Sequence, residues 1–255
     1  MAFKNKIPIA LTLMLITIII VAASITGRKN RKQPCCSIEV IYENSRSDTL
    51  VLPEEIIRIA NSCCDSIINC PLNKIDDQKV RNTLLQSPYI EDAQISFGLT
   101  GVMKLYITQT TVIARIINTA GHHYYLSCSG RLMPTEQRTA RVMVFNGYIS
   151  PLPDDCRSAK ETGNTLYHQI FELASGIHQD DFMRTLTDQI YVTRMKNFEL
   201  IPKIGIQKIM LNTTTHLDSK FENLALFYRQ KLPHLERSTY KALDISFDNQ
   251  IIAKK

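Results

Sequence analysis

Apolar and polar residues alternate along the last stretch of this chain. In YKALDISFDNQIIAKK, Leu243, Ile245 and Phe247 interleave with Asp244, Ser246 and Asp248, the period-two pattern of a half-buried strand, and Ile251 and Ile252 follow. Terminal residues are commonly polar and frayed, so strand formers here predict a structural element, with Leu243, Ile245 and Phe247 on its core face. The same alternation marks SIEVIY (Ser37–Tyr42), and IEDAQISF (Ile90–Phe97) and VMKLYITQ (Val102–Gln109) read as two further strands joined by the turn-rich GLTG. Helical spacing occupies the stretch between the first strand and the second. PEEIIRIANSCC places Pro53 in a first turn with Glu54 and Glu55 at the positive end of the helix dipole, and buries Ile56, Ile57 and Ala60. DDQKVRNTLLQS (residues 76–87) turns Val80, Leu84 and Leu85 inward and stops at Pro88. The order strand, helix, helix, strand, strand predicts an α+β module with two helices on one sheet face.

Beyond it the pattern predicts a second, β-rich domain with a few helices. NTLYHQIFELASGI (residues 164–177) puts Leu166, Ile170, Leu173 and Ile177 on one face behind Asn164 as N-cap. Asp180 and Asp181 read as a helix start ahead of FMRTL. QIYV, FELIP and IQKIML read as strands, and LDSKFENLALFYRQ as a helix with Phe221, Leu224 and Tyr228 inward. No Gly-rich loop joins a strand to a helix, so the expected class is α+β and not a doubly wound sheet.

The N-terminal region changes the picture. Residues 7–25 are uncharged and apolar, close to the ~20 residues a helix needs to cross hydrocarbon, so 7–26 is expected to span a membrane. Lys4, Lys6 and the small residues Ala22, Ala23 and Ser24 also fit a cleaved signal peptide; the length of the run and the basic residues after it favour an anchor. Lys and Arg number two before the span and four after it (Arg28, Lys29, Arg31, Lys32), so charge alone favours a cytoplasmic C-terminal bulk.

Charge also bears on partners. The net charge of +6 is confined to this region: six of the 30 basic residues fall in residues 1–34, which hold no Asp or Glu, leaving 24 basic against 24 acidic residues. A basic flank suits anionic headgroups, and an evenly charged remainder lacks the patch of a nucleic-acid binder.

Candidate chemistry is sparse. The seven cysteines show no CxxC and the six histidines no HExxH; there is no GxSxG, no GxxxxGK[ST] and no cysteine in a known nucleophile setting. His122 and His123 read as a polar loop before a strand. The cysteines read as small buried thiols with at most one bridge, such as Cys63 or Cys64 to Cys70. These features predict no catalytic residues, no metal, no cofactor and no small-molecule substrate.

In order and motif the chain resembles the bacterial division family FtsQ, also called DivIB. The first module has the POTRA layout, and DDQKVRNTLLQSPYIEDAQIS and MKLYITQTTVIARI resemble the corresponding family stretches. Ser87, Pro88, Tyr89, Ile90 and Glu91 stand at the turn into a strand. Ile113, Ala114 and Arg115 match the junction after the next strand, with Thr110 and Val112 where Arg and Pro are typical. HHYYLSCSGRLMPT is similar to the family hairpin, with Gly130 and Pro134 as turn residues and Ser127 and Ser129 at commonly acidic positions. The closing segment matches the family's last one.

The resemblance implies a cytoplasmic tail (1–6), a transmembrane helix (7–26), a basic linker (27–36), a POTRA-like domain (37–111) and an FtsQ-type β domain (112–255). It implies a non-catalytic bitopic scaffold in the inner membrane at the septum, with the bulk periplasmic, linking FtsB/FtsL-like partners to the septal peptidoglycan synthase complex. The partner-binding residues it implies are Phe247, Asp248, Asn249, Gln250, Ile251 and Ile252, the sheet edge that receives a segment of FtsB. A POTRA chaperone for envelope proteins and a membrane-anchored periplasmic enzyme are the alternatives. A chaperone of that type appends a barrel of at least eight strands, which a helix-containing remainder does not supply.

Overall fold

The computed structural model describes residues 14, 16, 17, 33–44, 49–62, 67–98, 100–136, 138–152, 157–160, 165–205, 207–230, 240–248 and 250–255. The expected tail (1–6), the expected span (7–26) apart from Met14, Ile16 and Thr17, and the linker up to residue 32 lie outside them. Among the described residues no helix is long and apolar enough to cross a membrane. The chain forms two units, one ending at Gln109 and one running Thr110–Lys255. The class is α+β, with sheets and a few helices.

The first unit runs β1 (Ser37–Tyr42), α1 (Pro53–Asn61), a 3-10 turn (Leu72–Lys74), α2 (Asp77–Leu84), β2 (Ile90–Phe97) and β3 (Val102–Gln109). Its three-stranded sheet has the order β1-β3-β2, with β1 parallel and β2 antiparallel to β3. Strict alternation along β3 buries Met103, Leu105 and Ile107, and the helices contribute buried Ile56, Ala60, Val80 and Leu84. Asp76, expected inside the second helix, is its N-cap and accepts a hydrogen bond from the Lys79 N–H at 3.1 Å. Ile57 and Leu85, both expected inward, are only half-buried at the edges of their helical faces. At the end of β3, the buried Gln109 amide oxygen accepts from the N–H groups of Leu50 and Val51 (2.8 and 3.1 Å), satisfying the loop that leads into α1.

The second unit is built on a nine-stranded sheet. It comprises β4 (Val112–Ile117), β5 (His123–Ser127), β6 (Leu132–Pro134), β7 (Met143–Gly147), β8 (Thr187–Val192), β9 (Phe198–Pro202), β10 (Lys208–Leu211), β11 (Ala242–Asp244) and β12 (Ile252–Lys254). The strand order is β12-β11-β10-β9-β8-β7-β4-β5-β6. Parallel neighbours need long crossovers, and helices fill two of them. α3 (Thr165–Gln179) and α4 (Asp181–Leu186) lie between β7 and β8, and α5 (Leu217–Gln230) between β10 and β11.

The core gathers Phe145, Ile190, Phe198, Leu200, Ile209 and Leu243 from the strands against Leu166, Ile170, Leu173, Ile177, Phe221 and Leu224 from the helices. Tyr228, expected inward with Phe221 and Leu224, is half-buried, edge-on to Phe182. Asp180 caps α4, accepting from the Met183 N–H at 2.7 Å, as the Asp180-Asp181 pair predicts. Gly130 sits at a turn with φ 90°, whereas Pro134, read as a turn residue, ends β6 at the sheet margin. An outermost strand is where a residue without an N–H is tolerated.

Candidate functional site

The last two strands form the site that the closing alternation points to. The strand does not continue to Asp248. β11 ends at Asp244, and Ile245 adds one further bond by donating its N–H to the Met210 carbonyl at 2.9 Å. Short polar side chains then take over the backbone. The Asp244 carboxylate accepts from the Ser246 N–H at 3.1 Å, and the Ser246 hydroxyl accepts from the Asn212 N–H at 3.1 Å. The chain turns and returns as β12, antiparallel to β11, with Leu243 opposite Ala253.

This bend divides the apolar residues of the segment. Leu243 and Ile245 are buried in the core, whereas Phe247, expected beside them, is 48% exposed on the turn. Ile251 and Ala253 pack against the core, and alternation turns Ile252 (39% exposed) and Lys254 to the opposite face. Gln250 is exposed, and Asn249 lies outside the described residues.

Two carboxylates, Asp244 and Asp248, hold the hairpin in place. Lys254 Nζ lies 3.0 Å from Asp244 Oδ2. Burial pushes the Asp244 carboxyl up, but hydrogen bonds from Ser246 and Lys254 outweigh it and hold its pKa below the usual carboxylate value. A depressed folded-state pKa contributes stability that is fully present above the unfolded value near ~4 and is lost as pH falls through the folded value. Protection of the 252–254 amides relative to their intrinsic exchange rates should therefore fall below about pH 4, ahead of the β7 and β8 amides, and Asp244→Asn should show that loss of protection already at pH 7.

At the turn, Asp248 Oδ2 lies 3.0 Å from His216 Nδ1, and its Oδ1 lies 3.9 Å from Lys220 Nζ. Lys220 is 2% exposed. Its ammonium donates to the Thr215 carbonyl (2.7 Å), the Thr213 hydroxyl (3.1 Å) and the Thr213 carbonyl (3.3 Å). A buried ammonium is tolerated when its protons are taken up in this way. Asp248 is half-exposed, so its attraction to Lys220 is modest in energy and chiefly fixes where the turn sits. Asp248 thus faces α5, while Phe247 and Ile252 are exposed.

Lys220 escaped the sequence reading because a lysine in the first turn of a helix reads as solvated. The available signal is its place four residues before Leu224, on the stripe that faces the core.

The two ends of the nine-stranded sheet differ. β6 ends in Pro134, the Leu132 N–H donates to the Arg157 carbonyl at 2.8 Å, and Arg131 bridges Ser158, so neighbouring chain occupies that margin. β12 closes the order at the other end, and among the described residues no strand lies beyond it.

Elsewhere His123 Nδ1 sits 2.8 Å from Arg115 Nη2, and the His122 ring meets Tyr124 edge-on. Among the described residues no group of three or more His, Cys, Asp or Glu is placed to hold a metal ion.

Among the described residues, the nine-stranded sheet of this α+β protein ends on the last strand of a folded terminal hairpin. The chain belongs to the FtsQ/DivIB, C-terminal related family, whose model matches residues 111–254 and so takes in all nine strands of the large sheet. Its members are generally non-enzymatic division proteins, and membership points to a role in cell division. No curated protein matches the chain.

Proposed function

We propose that the protein is a non-catalytic bitopic scaffold of the divisome that captures FtsB/FtsL-like partners on the open edge of β12 and links them to septal peptidoglycan synthesis. Residues 7–26 anchor it in the inner membrane, with the tail 1–6 cytoplasmic and the bulk periplasmic. The strand-helix-helix-strand-strand unit, a POTRA-like domain over 37–111, serves recruitment to the septum. The observation that carries this reading is the contrast between the two sheet margins: β6 is blunted by a proline and covered, and β12 is the last strand. An extended partner segment added to β12 would gain affinity from main-chain hydrogen bonds and specificity from alternate side chains. Phe247 and Ile252 offer it exposed apolar surface, and the clamp on Asp248 holds the turn between them.

Phe247→Glu with Ile252→Glu should weaken capture of an FtsB/FtsL-like pair at least tenfold, measured by pull-down and titration, while the melting temperature moves by no more than a few degrees. Capture that survives in the folded double variant would remove the terminal edge from the model. Ile251→Glu should instead lower stability, because that side chain packs on the core. In the native cell, depletion is expected to give filaments without septa, and outer-membrane assembly defects would favour a chaperone role. A reporter fused after Lys255 should be active only outside the cytoplasm.

A further inference from the structure

We infer that Cys35 and Cys70 form a disulfide that ties the start of β1 to the segment entering the 3-10 turn. The two segments already run antiparallel here. Pro34 and Pro71 form a bridge, the Cys35 N–H donates to the Cys70 carbonyl at 2.8 Å, and the Asn69 N–H donates to the Cys35 carbonyl at 2.8 Å. Cys35 therefore faces a bulge made of Asn69, left-handed at φ 68°, and Cys70, whose own N–H donates to the Ile67 carbonyl at 3.1 Å. The second residue of such a bulge keeps its place opposite the partner strand, and the direct Cys35 to Cys70 backbone bond brings the pair near the ~5.5 Å Cα spacing of a hydrogen-bonded antiparallel pair, inside the ~4.4–6.8 Å window of a disulfide.

Cys36, the next residue, points the other way: its sulfur lies 3.2 Å from the position a Cβ on Gly101 would take, and its thiol donates to the Pro34 carbonyl. Cys35 and Cys70 are both thiols in this structure. Cys35 is buried and Cys70 half-buried. Burial pushes the Cys35 thiol up, and the nearby thiols of Cys36 and Cys70 add to the rise, so Cys70 is the one to react first.

The chemistry is thiol–disulfide exchange with a disulfide oxidant. The Cys70 thiolate attacks one sulfur of oxidised glutathione, whose S–S bond breaks and releases one glutathione thiolate, leaving a mixed disulfide. The Cys35 thiolate then attacks the Cys70 sulfur and expels the second glutathione. Two cysteine protons and two electrons end in two reduced glutathiones. An exported location, part of the function proposed above, would supply such an oxidant. The pairing itself rests only on the geometry of the first unit and does not involve β12.

The test uses the full chain in detergent micelles, equilibrated with oxidised glutathione, alkylated and digested with trypsin. Peptides 33–46 and 59–74 should appear linked, with fragmentation placing the bond at Cys35 and Cys70. Cys35→Ser and Cys70→Ser should each remove the link, whereas Cys36→Ser, Cys63→Ser and Cys64→Ser should keep it. Reduction should lower the melting temperature of the first unit by on the order of 10 °C, since the bond closes a loop of about 35 residues. A bond mapped to Cys36, Cys63 or Cys64, or no bond after equilibration, overturns the assignment. Partner capture is read separately, so either result leaves the β12 experiment standing.

Discussion

Gly147→Ala should abolish stable folding of the C-terminal unit, with a loss of at least ~4 kcal/mol. Gly147 ends β7 opposite Val192 of β8 with φ 98°, a left-handed conformation that costs an L-residue about 1–2 kcal/mol. Space makes the larger contribution. A Cβ there would stand 2.4 Å from the Val192 carbonyl oxygen and 2.9 Å from the Tyr191 ring.

Backbone cannot rotate aside as a side chain can, so β7 and β8 must separate. That separation also strains the Tyr148 N–H to Val192 carbonyl bond (2.9 Å) and the packing of Phe145 and Ile190 beneath it. Gly121 provides the control: its φ is 80°, but nothing lies within 4 Å of its would-be Cβ, so Gly121→Ala should cost only about 1–2 kcal/mol. Chemical denaturation followed by circular dichroism reads both variants. Equal losses would show that β7 and β8 yield at little cost.

Lys220→Met should destabilise the unit by about 3 kcal/mol and release the terminal hairpin. Methionine keeps most of the apolar stem, so the loss isolates the ammonium. Without it, the carbonyls of Thr213 and Thr215 in the turn before α5 lose their buried donor, and Asp248 keeps only His216. Amide exchange at 252–254 should quicken tenfold or more while β8 and β9 keep their protection relative to the global unfolding rate. If capture on β12 depends on a fixed turn, the same variant should bind FtsB/FtsL-like partners more weakly even where it is fully folded. Unchanged exchange at 252–254 would show that Lys220 supports α5 alone.

Local signals reached as far as local physics does. The helix starts at Pro53, Asp76 and Asp180 and the alternation in β1 and β3 follow from dihedral preference, capping and side-chain period, all of which act within a few residues, whereas β2 shifts register between Ile90 and Asp92. The closing segment shows where such signals stop. Its alternation placed Leu243 and Ile245 in the core but carried Phe247 with them, because periodicity cannot register that Asp244, Ser246 and Asn212 would end the strand after Ile245. Lys220 is a related case: its burial depends on acceptors that only the turn before α5 brings together.

By itself the sequence determined the α+β class, the strands and helices of the first unit, α3, α4, α5 and the strands β8, β9 and β10 of the second, an apolar N-terminal run and a strand-forming C-terminus, but it did not mark β7. Tertiary structure alone decided that β11 joins β10 in parallel, that the chain doubles back as β12, and that this short strand ends the sheet. Strand order and edges arise from pairing between segments far apart in the chain, and no local pattern encodes which partner a strand will find.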